Sequence, residues 1–161
     1  MTFKTADLCD DHYDNGTIQI CEPIFGDFGG RNKFSGAIHT IHCFEDNSLV
    51  REAVAMDGKG KVLVIDGGGS LRCAMLGDLL AAKAVSNGWE GVIIHGLIRD
   101  SADIETMDLG VKALGTLPLK SVKNNKGTHN VEVGFAGVRF TPGSFAYADE
   151  DGIILSPTAL I

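Results

Sequence analysis

Three residues carry the chemistry this sequence offers: Asp78 and, after twenty intervening residues, the pair Arg99-Asp100. A guanidinium beside a carboxylate can bind an organic acid and a divalent cation side by side, since the fork of Arg fits a carboxylate and Asp supplies a hard oxygen ligand. Asp78 follows Gly77 inside an apolar run, Met75-Leu76 to Leu79-Leu80, where a carboxylate is costly unless paired, hydrated or near a metal. Asp103, three residues past Asp100, either supports waters around such a cation or is an ordinary solvated turn residue. Upstream, Asp66-Gly67-Gly68-Gly69-Ser70 resembles a phosphate loop only at first sight. A G-x-G-x-x-G motif would need glycine where Arg72 or Cys73 stands, and no G-K-[ST] follows. A glycine turn leading to a helix start remains; it is either a tight turn or an anion cradle.

The elements that must hold these residues come from the segment 61–100. Lys61–Asp66 is apolar on both faces from Val62 to Ile65, the pattern of a central strand covered on both sides. The segment LGDLLAAKAVSNG reads as a helix stopped at Asn87-Gly88, and WEGVIIHGLIRD as the next central strand. This strand-turn-helix-strand crossover sets the glycine turn and Arg99-Asp100 at neighbouring strand ends, where open α/β sheets hold ligands.

Around that core the spacing predicts a helix over 4–14 capped by Thr5, a glycine-rich loop over 20–36 packed by its own side chains, and a strand over 37–44. A helix then runs over 45–56, capped by Asp46, Asn47 or Ser48. Residues 108–117 read as a short helix stopped before Pro118, and 121–130 as an exposed loop. From 131 onward, alternating apolar and polar residues with turns at Ala136-Gly137, Pro142-Gly143 and Asp151-Gly152 predict short antiparallel strands. The expected fold is α/β: one domain over 1–161 with a central βαβ crossover and a β-rich C-terminal half.

Composition excludes several classes. With 44% hydrophobic residues in 161 the chain can bury a sizeable core, and its formal charge of -7 opposes direct binding of nucleic acid. No apolar run reaches membrane-spanning length and the N-terminus is too polar for a signal peptide, so the expected location is cytoplasmic. Cys9, Cys21, Cys43 and Cys73 lack CxxC spacing and read as buried thiols. His39 and His42 would face opposite sides of a strand, which argues against a shared metal.

The stretches DGGGSLRCAMLGDLLA, NGWEGVIIHGLIRD, FGGRNKFSG, HCFEDNSLV and YADEDGIILS together resemble the family of regulator of ribonuclease E activity A, shared with class II 4-hydroxy-4-methyl-2-oxoglutarate aldolases. The resemblance spans nearly the full chain. It implies a swivelling β/β/α domain, like phosphohistidine domains, assembled as a homotrimer with ligand sites between subunits. Asp78, Arg99 and Asp100 match the D-x20-R-D pattern of members competent as aldolases. By position, the amides of Gly77, Asp78, Leu79 and Leu80 would receive a 2-keto acid carboxylate, Arg99 would bind the same substrate, and Asp100 would anchor Mg2+ or Mn2+ largely through water. The implied reaction is retro-aldol cleavage to pyruvate with oxaloacetate decarboxylation as a side activity, Asp78 taking the C4 hydroxyl proton through a water. Longer aldolases of this type continue past the point where this chain ends and carry an acidic group there. The alternative the resemblance implies is a regulator that binds ribonuclease E and inhibits it through an outer surface.

Overall fold

A computed structural model describes residues 2–161. In chain order its elements are α1 (Thr5–His12), β1 (Gln19–Ile20), β2 (Gly26–Asp27), β3 (Phe34–His42), α2 (Ser48–Val54), β4 (Lys61–Asp66), β5 (Ala74–Leu76), α3 (Asp78–Ser86), β6 (Gly91–His95), β7 (Leu97–Ile98), α4 (Ser101–Ile104), β8 (Gly110–Ala113), β9 (Gly115–Thr116), β10 (Thr128–His129), β11 (Val133–Phe135), β12 (Val138–Phe140), β13 (Phe145–Asp149) and β14 (Gly152–Ser156).

The continuous apolar run of β4 is explained by its position. Leu63 and Ile65 face a core shared with α2 and α3, while Val62 and Val64 face one shared with β11 and β12, and all four are fully buried. Each such side chain contributes on the order of 1.5–3 kcal/mol by leaving water. β4 is the middle of the parallel run β3-β4-β6-β8; β13, β14 and β1 extend the sheet antiparallel on one side, β2 on the other, and β10 pairs with part of β3.

A second, three-stranded parallel sheet, β5-β7-β9, places the site. Three central strands each continue into it: β4 into β5 through residues 67–73, β6 into β7 across Gly96, and β8 into β9 across Leu114. The crossover therefore contains a strand that its sequence does not announce. The glycine turn does not feed the helix; β5 stands between them, and α3 begins only at Asp78. The far end of α3 follows expectation, with Gly88 at φ 82° closing the helix after Asn87, whose side-chain amide donates to Val54 O at 2.9 Å.

Residues 108–117 are not helical. Gly110–Ala113 and Gly115–Thr116 are strands, because pairing with β6 and β7 outweighs weak local preference. Gly110 is required there: a Cβ would lie 2.0 Å from the Phe34 ring. Thr5 does not cap α1 with its own side chain; Lys4 is the N-cap residue, and Thr5 donates its amide and hydroxyl to the Asp149 carboxylate at 2.7 and 2.6 Å. Likewise, no side chain of Asn47 caps α2. Asp46 Oδ1 instead accepts the Ser48 amide and hydroxyl at 2.9 and 2.6 Å. The loop over 20–36 packs by its own side chains as expected, Cys21, Phe25 and Phe34 on the core shared with β11 and β12 and Phe28 on the core shared with α2 and α3, while Gly29 and Gly30 lie against the carbonyls of Leu109 and Met107. Within 121–130, Thr128–His129 adds a short strand to β3. The C-terminal strands form as read, with hairpin turns at Ala136-Gly137 and Asp151-Gly152. Cys21, Cys43 and Cys73 are buried free thiols and Cys9 is half-buried; burial first, then Glu22 for one and Asp46 and Asp66 for the other, pushes Cys21 and Cys43 up to about 12.

Candidate functional site

At the C-terminal ends of β5 and β7 the predicted residues meet. The chain leaves β5 at Gly77, whose extended backbone (φ -123°, ψ -173°) makes it the N-cap of α3, and Ala81 N donates to its carbonyl at 3.0 Å. Next to it, Arg99 leaves β7 with its amide donating to Leu76 O at 2.9 Å. Asp100 then takes a left-handed conformation, φ 57° and ψ 39°, and its carbonyl accepts the amides of Asp103 and Ile104 to start α4. That turn brings the Asp100 carboxylate back over α3. Its Oδ2 accepts the Asp78 amide at 3.1 Å and stands 3.8 Å from Arg99 Nε. Gly77 is what permits the approach, since a Cβ there would lie 2.9 Å from Asp100 Oδ2 and 3.3 Å from Arg99 Nε.

Asp78 is not buried at a cost inside an apolar run. It is the first residue of α3, half-exposed, where the helix dipole favours a carboxylate. Its Oδ1 accepts the Leu79 amide at 2.8 Å, and among the described residues its other oxygen takes no hydrogen bond. Leu79 is 80% exposed beside these groups. The Arg99 and Asp100 side chains are 39% and 36% exposed, so the site is an open surface of this chain and not an enclosed cavity. A cavity of about 340 Å³ lies elsewhere, between α1 and the β13–β14 hairpin. Asp103 is exposed on α4; its amide donates to Asp100 O and its carbonyl accepts the Thr106 amide and hydroxyl.

Among the described residues no three His, Cys, Asp or Glu side chains are arranged to hold an ion. The donor set at Asp100 thus fits a cation that keeps most of its water and takes one or two protein carboxylates, as Mg2+ does, and does not fit a closed zinc cage.

The glycine turn is a structural device. Gly68 N donates to Asp66 Oδ1 at 2.9 Å and Gly69 N to His95 O at 3.0 Å, with both glycines at positive φ. The amides of Gly68, Gly69 and Ser70 are thus bonded within the chain. Sequence reading missed one row of groups there: His42, Asp66 and His95 are each the last residue of a parallel strand and stand in register, with His42 Nε2 and His95 Nδ1 3.8 and 3.6 Å from opposite oxygens of Asp66. In the sequence only Asp66 ends a predicted strand; His42 and His95 fall inside the strands read over 37–44 and 89–100, so no end signal marked them. The pairing of buried Lys112 with the more exposed Asp27, Nζ to Oδ1 2.7 Å, was hidden by the helical reading of 108–117.

The profile of a family described as "RraA-like: Aldolase/RraA" matches residues 5–155. A protein of Dechloromonas aromatica named "Putative 4-hydroxy-4-methyl-2-oxoglutarate aldolase" is 57% identical, covering 99% of both chains, and one of the same name from Pseudomonas aeruginosa is 58% identical, covering 99% of this chain and 98% of its own. Among solved structures, the RNA-processing inhibitor RraA of Thermus thermophilis superposes with a TM-score of 0.95 at 42% identity, covering 100% of this chain and 96% of that one. A Geobacillus kaustophilus structure described as S-adenosylmethionine: 2-dimethylmenaquinone methyltransferase also gives 0.95, at 52% identity and 98% and 97% coverage.

Proposed function

The chain belongs to the RraA-like (Aldolase/RraA) family, and from that premise we propose that it is a cytoplasmic divalent-metal-dependent aldolase, cleaving 4-hydroxy-4-methyl-2-oxoglutarate or a related 4-carboxy-4-hydroxy-2-oxo acid to pyruvate. The observation that carries this reading is the convergence of the Arg99 guanidinium and the Asp78 amide on a single carboxylate-oxygen position at the ends of β5 and β7.

In this reading the first-turn amides of α3, from Gly77 to Leu80, and the Arg99 fork hold the keto-acid carboxylate and orient the C3–C4 bond. Asp100 would hold Mg2+ or Mn2+ through water, and the bound cation supplies Lewis-acid stabilisation of charge at the 2-keto oxygen. The Asp78 oxygen that takes no protein hydrogen bond accepts, through a water, the proton of the C4 hydroxyl. As C3–C4 breaks, the C4 oxygen becomes a carbonyl and the bonding pair forms the C2=C3 bond of the pyruvate enolate, whose negative charge Arg99 and the amides offset; the proton taken up at Asp78 returns through the water to C3 and gives pyruvate. Oxaloacetate losing carbon dioxide yields the same enolate, so decarboxylation belongs to the same site. The openness of the site and the exposed Leu79 support a cleft completed by a second copy of the chain, in a homotrimer.

Purified protein should release pyruvate from both substrates with Mg2+ or Mn2+, and neither in EDTA; Asp100→Ala and Arg99→Ala should lose both activities while remaining folded. Full activity in EDTA, or an Arg99→Ala variant near wild type on either substrate, removes this reading. The 42% identity to an RNA-processing inhibitor favours a second role, inhibition of ribonuclease E through an outer surface. It predicts slower cleavage of a short RNA by that enzyme, undiminished in Asp100→Ala.

A further inference from the structure

Both groups that a keto-acid carboxylate needs in this site already engage a carboxylate, and it is the chain's own. Asp100 Oδ2 accepts the Asp78 amide at 3.1 Å and sits 3.8 Å from Arg99 Nε, in space left by the missing Gly77 side chain. Asp100 reaches that point from the left-handed region, uncommon for a residue with a Cβ and concentrated at switch and active sites. The neighbouring Leu79 amide is likewise turned inward, onto Asp78 Oδ1.

Resting on the keto-acid reading of this site, we propose that the Asp100 side chain is an autoinhibitory occupant of the substrate-carboxylate position, which it leaves when it turns to a divalent cation. One amide hydrogen cannot serve two carboxylates, and two carboxylates in contact repel. Keto acid and internal carboxylate are therefore alternatives at the Asp78 amide. A cation that draws Asp100 away frees that amide and the side of Arg99 that faces it. Cation and keto acid then each raise the affinity of the other by one factor, as linkage requires. Asp100 thus has two positions, cap of α3 and ligand, and the metal-free chain is closed to its substrate by the residue that recruits the metal.

The test uses the full chain, nitrogen-15 labelled, in EDTA, titrated with sodium pyruvate while the Asp78 and Leu79 amide resonances are followed. Asp100→Gly, in which glycine suits the left-handed backbone, should bind pyruvate at least tenfold more tightly than the metal-free wild type and shift both amides. Asp103→Asn removes a nearby exposed charge without opening the amide and should keep wild-type affinity. Equal affinity of wild type and Asp100→Gly overturns the proposal, as does an Asp103→Asn gain matching that of Asp100→Gly, which would make the effect one of general charge. A second measurement needs no variant: Mg2+ alone should speed hydrogen exchange of the wild-type Asp78 amide at least tenfold, and an unchanged rate overturns the proposal. Failure to form pyruvate with Mg2+ present would instead remove the aldolase reading, while the amide measurements decide by themselves whether Asp100 occupies the position.

Discussion

Gly77 shows what a single residue can hide. The spacing of Asp78, Arg99 and Asp100 was legible in the sequence because it is a pattern of reactive side chains. The need for glycine at 77 was not, because it depends on where the Asp100 carboxylate swings after a left-handed turn. The extended backbone of Gly77 is open to any residue, so Gly77→Ala should fold with little change in melting temperature. Its Cβ, however, would crowd Asp100 Oδ2 and both the Nε and Cγ of Arg99, at 2.9, 3.3 and 3.4 Å, moving the groups proposed to grip the substrate. A displacement of that kind costs on the order of 10–100-fold in kcat/KM. Oxaloacetate decarboxylation assays beside a thermal melt separate the two effects; a loss of activity that tracked a loss of folding would contradict this account.

At the scale of elements, β4, α3 and β6 were readable because burial on both faces, an Asn-Gly stop and β-branched runs leave local marks. β5, β7, β8 and β9 are two to four residues long and owe their existence to partners, so local preference misled most at Gly110–Ala113. There Lys112 is 3% exposed in its side chain, and its ammonium donates to Asp27 Oδ1 at 2.7 Å and Asp149 O at 2.6 Å, joining β8 to β2 and to the β13–β14 hairpin. Asp149 in turn takes both Thr5 groups, so one network seats α1 on the sheet. Lys112→Met keeps the length of the side chain but strands the Asp27 carboxylate, which stays partly hydrated. The expected loss is about 1–3 kcal/mol, read as a lower urea midpoint with an unchanged slope. Exchange protection in α1 should fall with it, while pyruvate formation by the folded fraction stays intact.

Across the whole molecule, the segments with least secondary structure are held by carboxylates, and this decides how the protein meets acid. Asp46, 2% exposed, accepts from Ser48 N and Oγ with one oxygen and from Asn124 and Lys126 amides with the other, clamping residues 122–126 over the start of α2. Burial raises its pKa, but the bonds from Ser48, Asn124 and Lys126 outweigh burial and hold it at about 2. Asp149 is also held below its ordinary range, burial opposing and the Thr5 and Asp151 bonds prevailing, and Asp108 is lowered by its bond to Arg31. His39 is lowered as well, by burial first and then by His129 and Lys61. The signs agree. A carboxylate whose folded pKa is depressed contributes stability that is present above its unfolded value and is lost as pH falls toward the folded one. An imidazole with a depressed pKa likewise resists the proton that the unfolded chain accepts, so it too loses stability on acidification. Stability should therefore hold near neutrality, weaken slightly as pH falls below the ordinary histidine range, and drop most steeply between about pH 4 and pH 2. For Asp46 the shift from 3.8 to about 2 corresponds to about 2 kcal/mol. Asp46→Asn keeps one acceptor but cannot titrate, so its stability, measured by urea unfolding at each pH, should start lower at neutrality and lose about 2 kcal/mol less than wild type over that window. Parallel wild-type and Asp46→Asn curves down to pH 2 would show that the clamp over 122–126 does not govern acid unfolding.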